Sequence, residues 1–246
     1  MAQQDTPKPA RLFALDAFRV FAIFMMIAYH FIYDLKYFGY VDWNTPLGEG
    51  WWQWRTSIVF GFVFAMGLSM GIAHSHGRNR RSFLIRLAQI FACAMLISIV
   101  SIFMFPQSYI YFGILHFITL AGLATYVFVG KPRIALALGA AIVLAFWTGF
   151  VPYGWPINLI SGLPSYTEDF VSPFPWFGVA FIGLGLGELY AKNRAQMTGL
   201  GGWKIGGGIG KLIGFAGSRS LAIYMLHQPV LFGMIIGAGF LIKLVV

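Results

Sequence analysis

Residues 11–36 read RLFALDAFRVFAIFMMIAYHFIYDLK, an apolar run long enough to cross a bilayer that still carries Asp16, Arg19, His30 and Asp34. At about 100° per residue, Arg19, His30 and Asp34 project at roughly 300°, 320° and 0° from Asp16, so the four share an arc of about 60° on a helix. A charge near the centre of a bilayer costs a few kcal/mol even on lenient scales, so such a stripe faces protein, is paired, and marks a candidate functional site. His30 and Asp34 are one turn apart, a spacing that lets the carboxylate orient the imidazole. A plainer reading stays open, in which Asp16 pairs with Arg19 at the helix entrance and His30 makes an ordinary buried hydrogen bond.

The rest of the chain agrees with a membrane protein. Of 246 residues, 59% are hydrophobic and 10% charged, against roughly 25% charged in a soluble domain. The net charge of +9 sits in short loops between apolar segments, where it encodes topology, and a nucleic-acid partner is rejected. The single cysteine, Cys93, lies in an apolar segment and can form neither an internal disulfide nor a Cys-rich metal site. The first helix has a basic start but no small-x-small cleavage site, so it is expected to remain as a signal anchor.

The expected architecture is all-α: a polytopic bundle of about seven transmembrane helices. A polar tail, residues 1–10, is expected to be disordered and cytoplasmic, and residues 11–246 to form a single transmembrane domain. The helices are expected at about 13–33, 56–73, 84–104, 110–129, 133–150, 174–191 and 219–244. Between the first two lies an aromatic loop whose Trp43, Trp51, Trp52 and Trp54 fit an interfacial belt. Gly178, Gly183, Gly185 and Gly187 permit close approach by the sixth helix, and a Gly-rich linker precedes the seventh.

Alternate loops give the orientation. Thirteen of the seventeen Lys and Arg residues fall on the side of the N-terminus, among them Arg78, Arg80, Arg81, Arg86, Lys131 and Arg133, while Asp34, Asp42, Glu49, Glu168 and Asp169 fall on the other. The N-terminus is therefore expected in the cytoplasm and the C-terminus outside. Counting about 1.5 Å per residue from each helix start, His30 and His116 occupy one outer layer and His227 a middle or inner one. A polar column across the membrane is available if these helices enclose one cavity.

Other chemistries fail. The linker LGGWKIGGGIGKLIG lacks the Ser or Thr after Lys211 that a phosphate loop needs. His74 and His76, two apart with no carboxylate or cysteine nearby, read as surface residues and not as metal ligands. Haem ligation is disfavoured because only His30 and His116 share a depth.

Four blocks, LDAFRVFAIFMMIAYHFIYDL, YFGILHFI, EDFVSPFPWFGVAFIGLGLG and SLAIYMLHQPV, resemble in content and order the DUF1624 family, which contains the catalytic domain of heparan-alpha-glucosaminide N-acetyltransferase and belongs to a wider group of transmembrane acyltransferases. The resemblance implies a multi-pass enzyme, expected in the cell's inner (plasma) membrane. It implies transfer of an acyl group, typically acetyl from cytoplasmic acetyl-CoA, to an extracytoplasmic amino sugar or glycan. Separately from the resemblance, no metal or haem is expected, and a homodimer is compatible with the chain. In the eukaryotic branch a reactive histidine lies near the position of Tyr40 to Trp43; none is found there in this chain, and His30 with Asp34 is the natural substitute. His30 is then the base or nucleophile, Asp34 its orienting group, and His116 an oxyanion candidate. Arg19, Arg78, Arg81, Arg86 and His227 are the candidates for the CoA side. The alternative is a carrier or channel for a small anionic or sugar-like solute that uses the same column without covalent chemistry.

Overall fold

A computed structural model describes residues 12–46, 48–75, 79–193 and 205–245. The tail, Arg78, His76 and the first part of the Gly-rich linker lie outside the described residues. The fold is all-helical: α1 (Phe13–Tyr37), α2 (Trp51–Ser75), α3 (Arg80–Met104), α4 (Ile114–Tyr126), α5 (Pro132–Trp147), a 3-10 turn (Ile157–Leu159), α6 (Pro173–Lys192), α7 (Gly207–Ser218) and α8 (Ser220–Val245). Among the described residues, five helices are long and apolar enough to cross a membrane: α1, α2, α3, α6 and α8. The two others expected to span, α4 and α5, have 13 and 16 residues.

Two expected boundaries shift. Helix α2 starts at Trp51, so Trp51, Trp52 and Trp54 are helical instead of belonging to a loop. Trp51 and Trp54 stack at 5.4 Å between centroids, both meet Tyr29 edge-on, and Trp54 Nε1 donates to the Met25 carbonyl at 3.1 Å. They fasten α2 to α1 in addition to any interfacial role. The second half of the Gly-rich linker folds as α7, whose Gly217 presses on Asp16: a Cβ there would come within 2.8 Å of the Asp16 Cβ.

The centre of the bundle is the contact of α2 with α6. Gly67 and Gly71 of α2 face Gly183 and Gly187 of α6, and a Cβ at Gly71 would sit 2.7 Å from the Glu188 backbone nitrogen, one at Gly183 2.8 Å from the Phe64 carbonyl. Small residues four apart let two backbones touch, and dispersion between them replaces the hydrophobic drive that lipid removes. Helix α5 repeats the device, with Gly139 and Gly178 each 2.7 Å from the other's carbonyl by the same measure. Close approach by the sixth helix is thus as expected; its partners are set by glycines on α2 and α5.

Charge divides the bundle into two ends. At the basic end, where α1 starts, Glu188 is 1% exposed and accepts from the Gly130 N–H at 2.7 Å, tying the α4–α5 turn to α6. At the acidic end the loops 105–113 and 148–172 zip together: Glu168 N donates to Ser108 O at 3.0 Å, Val171 N to Phe112 O at 3.1 Å, and Thr167 Oγ1 to Tyr109 O at 2.8 Å. This pairing carries Glu168 and Asp169 over the ends of α1, α2 and α4.

Candidate active site

The stripe on α1 faces inward as its spacing requires. Asp16 is 3% exposed and Asp34 0%, whereas Phe21 on the opposite face is more than half exposed. Arg19 bonds Asp16 Oδ1 at 3.3 Å and also donates to Ser69 Oγ of α2, so the entrance pair exists and is anchored to a second helix.

Two cavities lie along this stripe. One, of about 410 Å³, opens toward the basic end and is lined by Arg19, Ser69, His74, Arg86, Tyr224 and apolar residues of α2, α3, α4 and α8. The other, of about 600 Å³, lies toward the acidic end and is lined by Tyr29, His30, Tyr33, Trp52, Arg55, Tyr153, Glu168, Asp169 and Tyr224. Phe62, Ile114 and Tyr224 are walls of both. The Phe62 and Tyr224 rings meet edge-on at 6.0 Å, so a thin aromatic partition separates the two chambers.

The acidic-end cavity has a fixed polar rim. Glu168 accepts from Tyr33 OH at 2.8 Å and from Ser108 Oγ at 2.6 Å. Asp169 caps α4 by accepting from Ile114 N at 2.9 Å and lies 3.5 Å from Arg55, whose guanidinium also donates to the Phe170 carbonyl. Burial, and then the Glu168 charge, push the Tyr166 hydroxyl above the ordinary phenolic range.

The predicted residues separate. His30 lines the acidic-end cavity. The expected one-turn bond from Asp34 is absent among the described residues: Asp34 Oδ1 accepts from Gln228 Nε2 of α8 at 2.8 Å, and Oδ2 is buried without a partner. His116 lines neither cavity. Its Nδ1 accepts from the Gly113 N–H at the start of α4, and its Nε2 is engaged with Ser98 Oγ of α3, each at 3.2 Å, so neither nitrogen is left for an oxyanion. His227, expected deeper in the membrane, meets His30 with ring centroids 5.0 Å apart. The depth estimate assumed that all helices start at one level, but the pairs His30–His227, Asp34–Gln228 and Phe38–Phe232 place the start of α8 well up along α1.

On the basic side, Arg19 and Arg86 line the cavity while Arg80 and Arg81 are exposed on the first turn of α3. His74 is not a surface residue. It lines this cavity, its Nδ1 bonded to Met70 O at 2.9 Å and its Nε2 buried without a partner among the described residues. The weight of Arg55, Tyr33 and His74 had no sequence signal beyond their type, since each acquires its role from a contact with a distant segment. No group of three or more His, Cys, Asp or Glu able to hold a metal occurs among the described residues.

A multi-pass helical bundle with a polar stripe on its first helix and two chambers meeting at an aromatic partition is a membrane protein built around an internal site. The sequence model for heparan-alpha-glucosaminide N-acetyltransferase, catalytic, matches residues 11–229, and the chain belongs to that family of membrane acetyltransferases. No curated protein and no solved structure matches the chain.

Proposed function

We propose that this protein transfers an acyl group, in the first instance acetyl, from acyl-CoA entering at the basic end to an acceptor held in the acidic-end cavity. The observation that carries the reading is the pair of chambers with common walls at Phe62, Ile114 and Tyr224, one basic and the other rimmed by carboxylates and aromatics with His30 among them. Arg19 and Arg86, set among Ser69, Ser218, Ser220 and the apolar side chains of the chamber, fit an anionic donor with an apolar arm. The aromatic faces of Tyr29, Trp52 and Tyr153, with Glu168 and Asp169, suit a sugar or glycan acceptor. His30 acts as the base. As the acceptor N–H or O–H attacks the thioester carbonyl, His30 takes its proton, the C–S bond breaks, and the proton passes to the departing thiolate.

In this reading the basic end is cytoplasmic, the protein is a multi-pass protein of the cell's inner membrane, and donor and acceptor come from opposite sides. Purified protein in liposomes should consume acetyl-CoA and acetylate glucosamine, used as a probe acceptor. Unaltered thioester over hours would sink the reading in favour of a carrier. Orientation is tested separately: in a Cys93→Ala background, an impermeant thiol reagent on intact cells should label Ser165→Cys and not Ser82→Cys, and the reverse pattern overturns it.

A further inference from the structure

The acyl-transfer reading needs something to hold the His30 ring, and Asp34 is already engaged with Gln228. We propose that His227 of α8 is the positioning residue for His30, accepting the N–H of His30 on a lone pair that the α8 backbone keeps bare. The inference rests on the reading above for the role of His30 and on three separate observations for its partner.

The first is a tautomer. His227 Nδ1 lies 2.5 Å from the Tyr224 carbonyl oxygen. A carbonyl only accepts, so Nδ1 carries the proton, and a neutral imidazole then has an unprotonated Nε2. The second is that this Nε2 is buried with no partner among the described residues. A buried acceptor left empty forfeits the desolvation of the group, which makes a nearby donor favourable. The third is the neighbour itself. The His30 ring stands 5.0 Å away, centroid to centroid, at 59°, close enough for one N–H···N bond between ring edges. His30 lines the cavity and His227 is not among the lining residues, so the bond would run from the reacting ring to the one behind it.

The chemistry follows from this arrangement. One nitrogen of His30 is committed as a donor to His227, and the other is left as a lone pair facing the cavity. That nitrogen takes the acceptor proton and returns it to the thiolate, while the N–H directed at His227 is kept throughout.

Full-length protein in nanodiscs tests the proposal, with acetyl-CoA and glucosamine as substrates and thioester hydrolysis as a second readout. His227→Phe keeps a ring but removes the lone pair. Its kcat should fall about 10–100-fold, as for other groups that orient a functional histidine, with both KM values nearly unchanged. His227→Gln restores an acceptor oxygen and should recover most of the loss, which a purely structural role would not predict. Equal losses in the two variants, wild-type kcat in His227→Phe, or a change confined to KM overturns the proposal. If His227→Phe is not recovered as monodisperse protein, His227→Leu takes its place in the same comparison. His30→Ala separates the two levels: an inactive His30→Ala beside a fully active His227→Phe removes the positioning role alone, and a fully active His30→Ala removes the reading beneath it.

Discussion

Helices α2 and α6 meet backbone to backbone through glycines, whereas α1 and α8 meet through long side chains: His30 on His227, Asp34 on Gln228, Phe38 on Phe232. The first seam has no space and no polar choice, so it has one arrangement. The second leaves Asp34 Oδ2, Gln228 Oε1 and His227 Nε2, all buried, without partners among the described residues. Buried polar atoms with spare capacity are costly as packing and useful as chemistry, because a substrate or a proton can complete them. The contrast separates a scaffold from a site: the glycine seam supports α2, which carries Arg55, Phe62 and Ser69, while the polar seam carries His30 and His227.

The largest effect should come from breaking the scaffold. Gly71→Leu drives a side chain into the Leu184 carbonyl and the Glu188 backbone, at the upper part of the about 1–3 kcal/mol usual for overpacking or beyond it. Detergent-solubilised variant should lose its monodisperse peak and its thermal transition. Gly237→Leu on α8, where a Cβ meets nothing within 4 Å, is the control and should behave as wild type. Equal behaviour of the two would erase the distinction between the seams.

Next comes the site itself. His30→Ala should lower turnover by about 10²–10⁴-fold, the usual contribution of a general base, while the thermal transition stays within a few degrees. Unfolding in place of inactivity would make the polar seam structural too.

The basic cavity gives a smaller, discriminating effect. Arg86 lines it and Arg81 does not, so Arg86→Ala should raise the acetyl-CoA requirement by the equivalent of about 1.5–3 kcal/mol, the worth of a charge-assisted contact, and Arg81→Ala should leave it unchanged. Titrating initial rate against acetyl-CoA in both variants decides between a ligand contact and a topological charge.

The smallest effect is expected at Asp34. Asparagine retains an oxygen for Gln228 Nε2, so Asp34→Asn should cost no more than about threefold in kcat, within the roughly 1 kcal/mol of an ordinary hydrogen bond. A loss as deep as that of His30→Ala would return the carboxylate to the role of orienting His30.

Much of this was legible in the chain alone. Period and hydropathy identify spans because a bilayer accepts only long apolar helices with internally bonded backbone, and the arc of Asp16, Arg19, His30 and Asp34 follows from helical pitch. The glycine spacing announces close packing in the same local way, and the family could be recognised from four short blocks. What partners the stripe was decided only in three dimensions. His30 meets His227, 197 residues later in the chain, because α8 starts well up along α1. Asp34 is drawn to Gln228 for the same reason, and His116 is turned into a cap by the Gly113 N–H beside it. Helical pitch fixes which way a residue points within its own helix, but the axial offset between two helices is set by the packing of every element that joins them, and a hydrogen bond a few ångströms long depends on that offset.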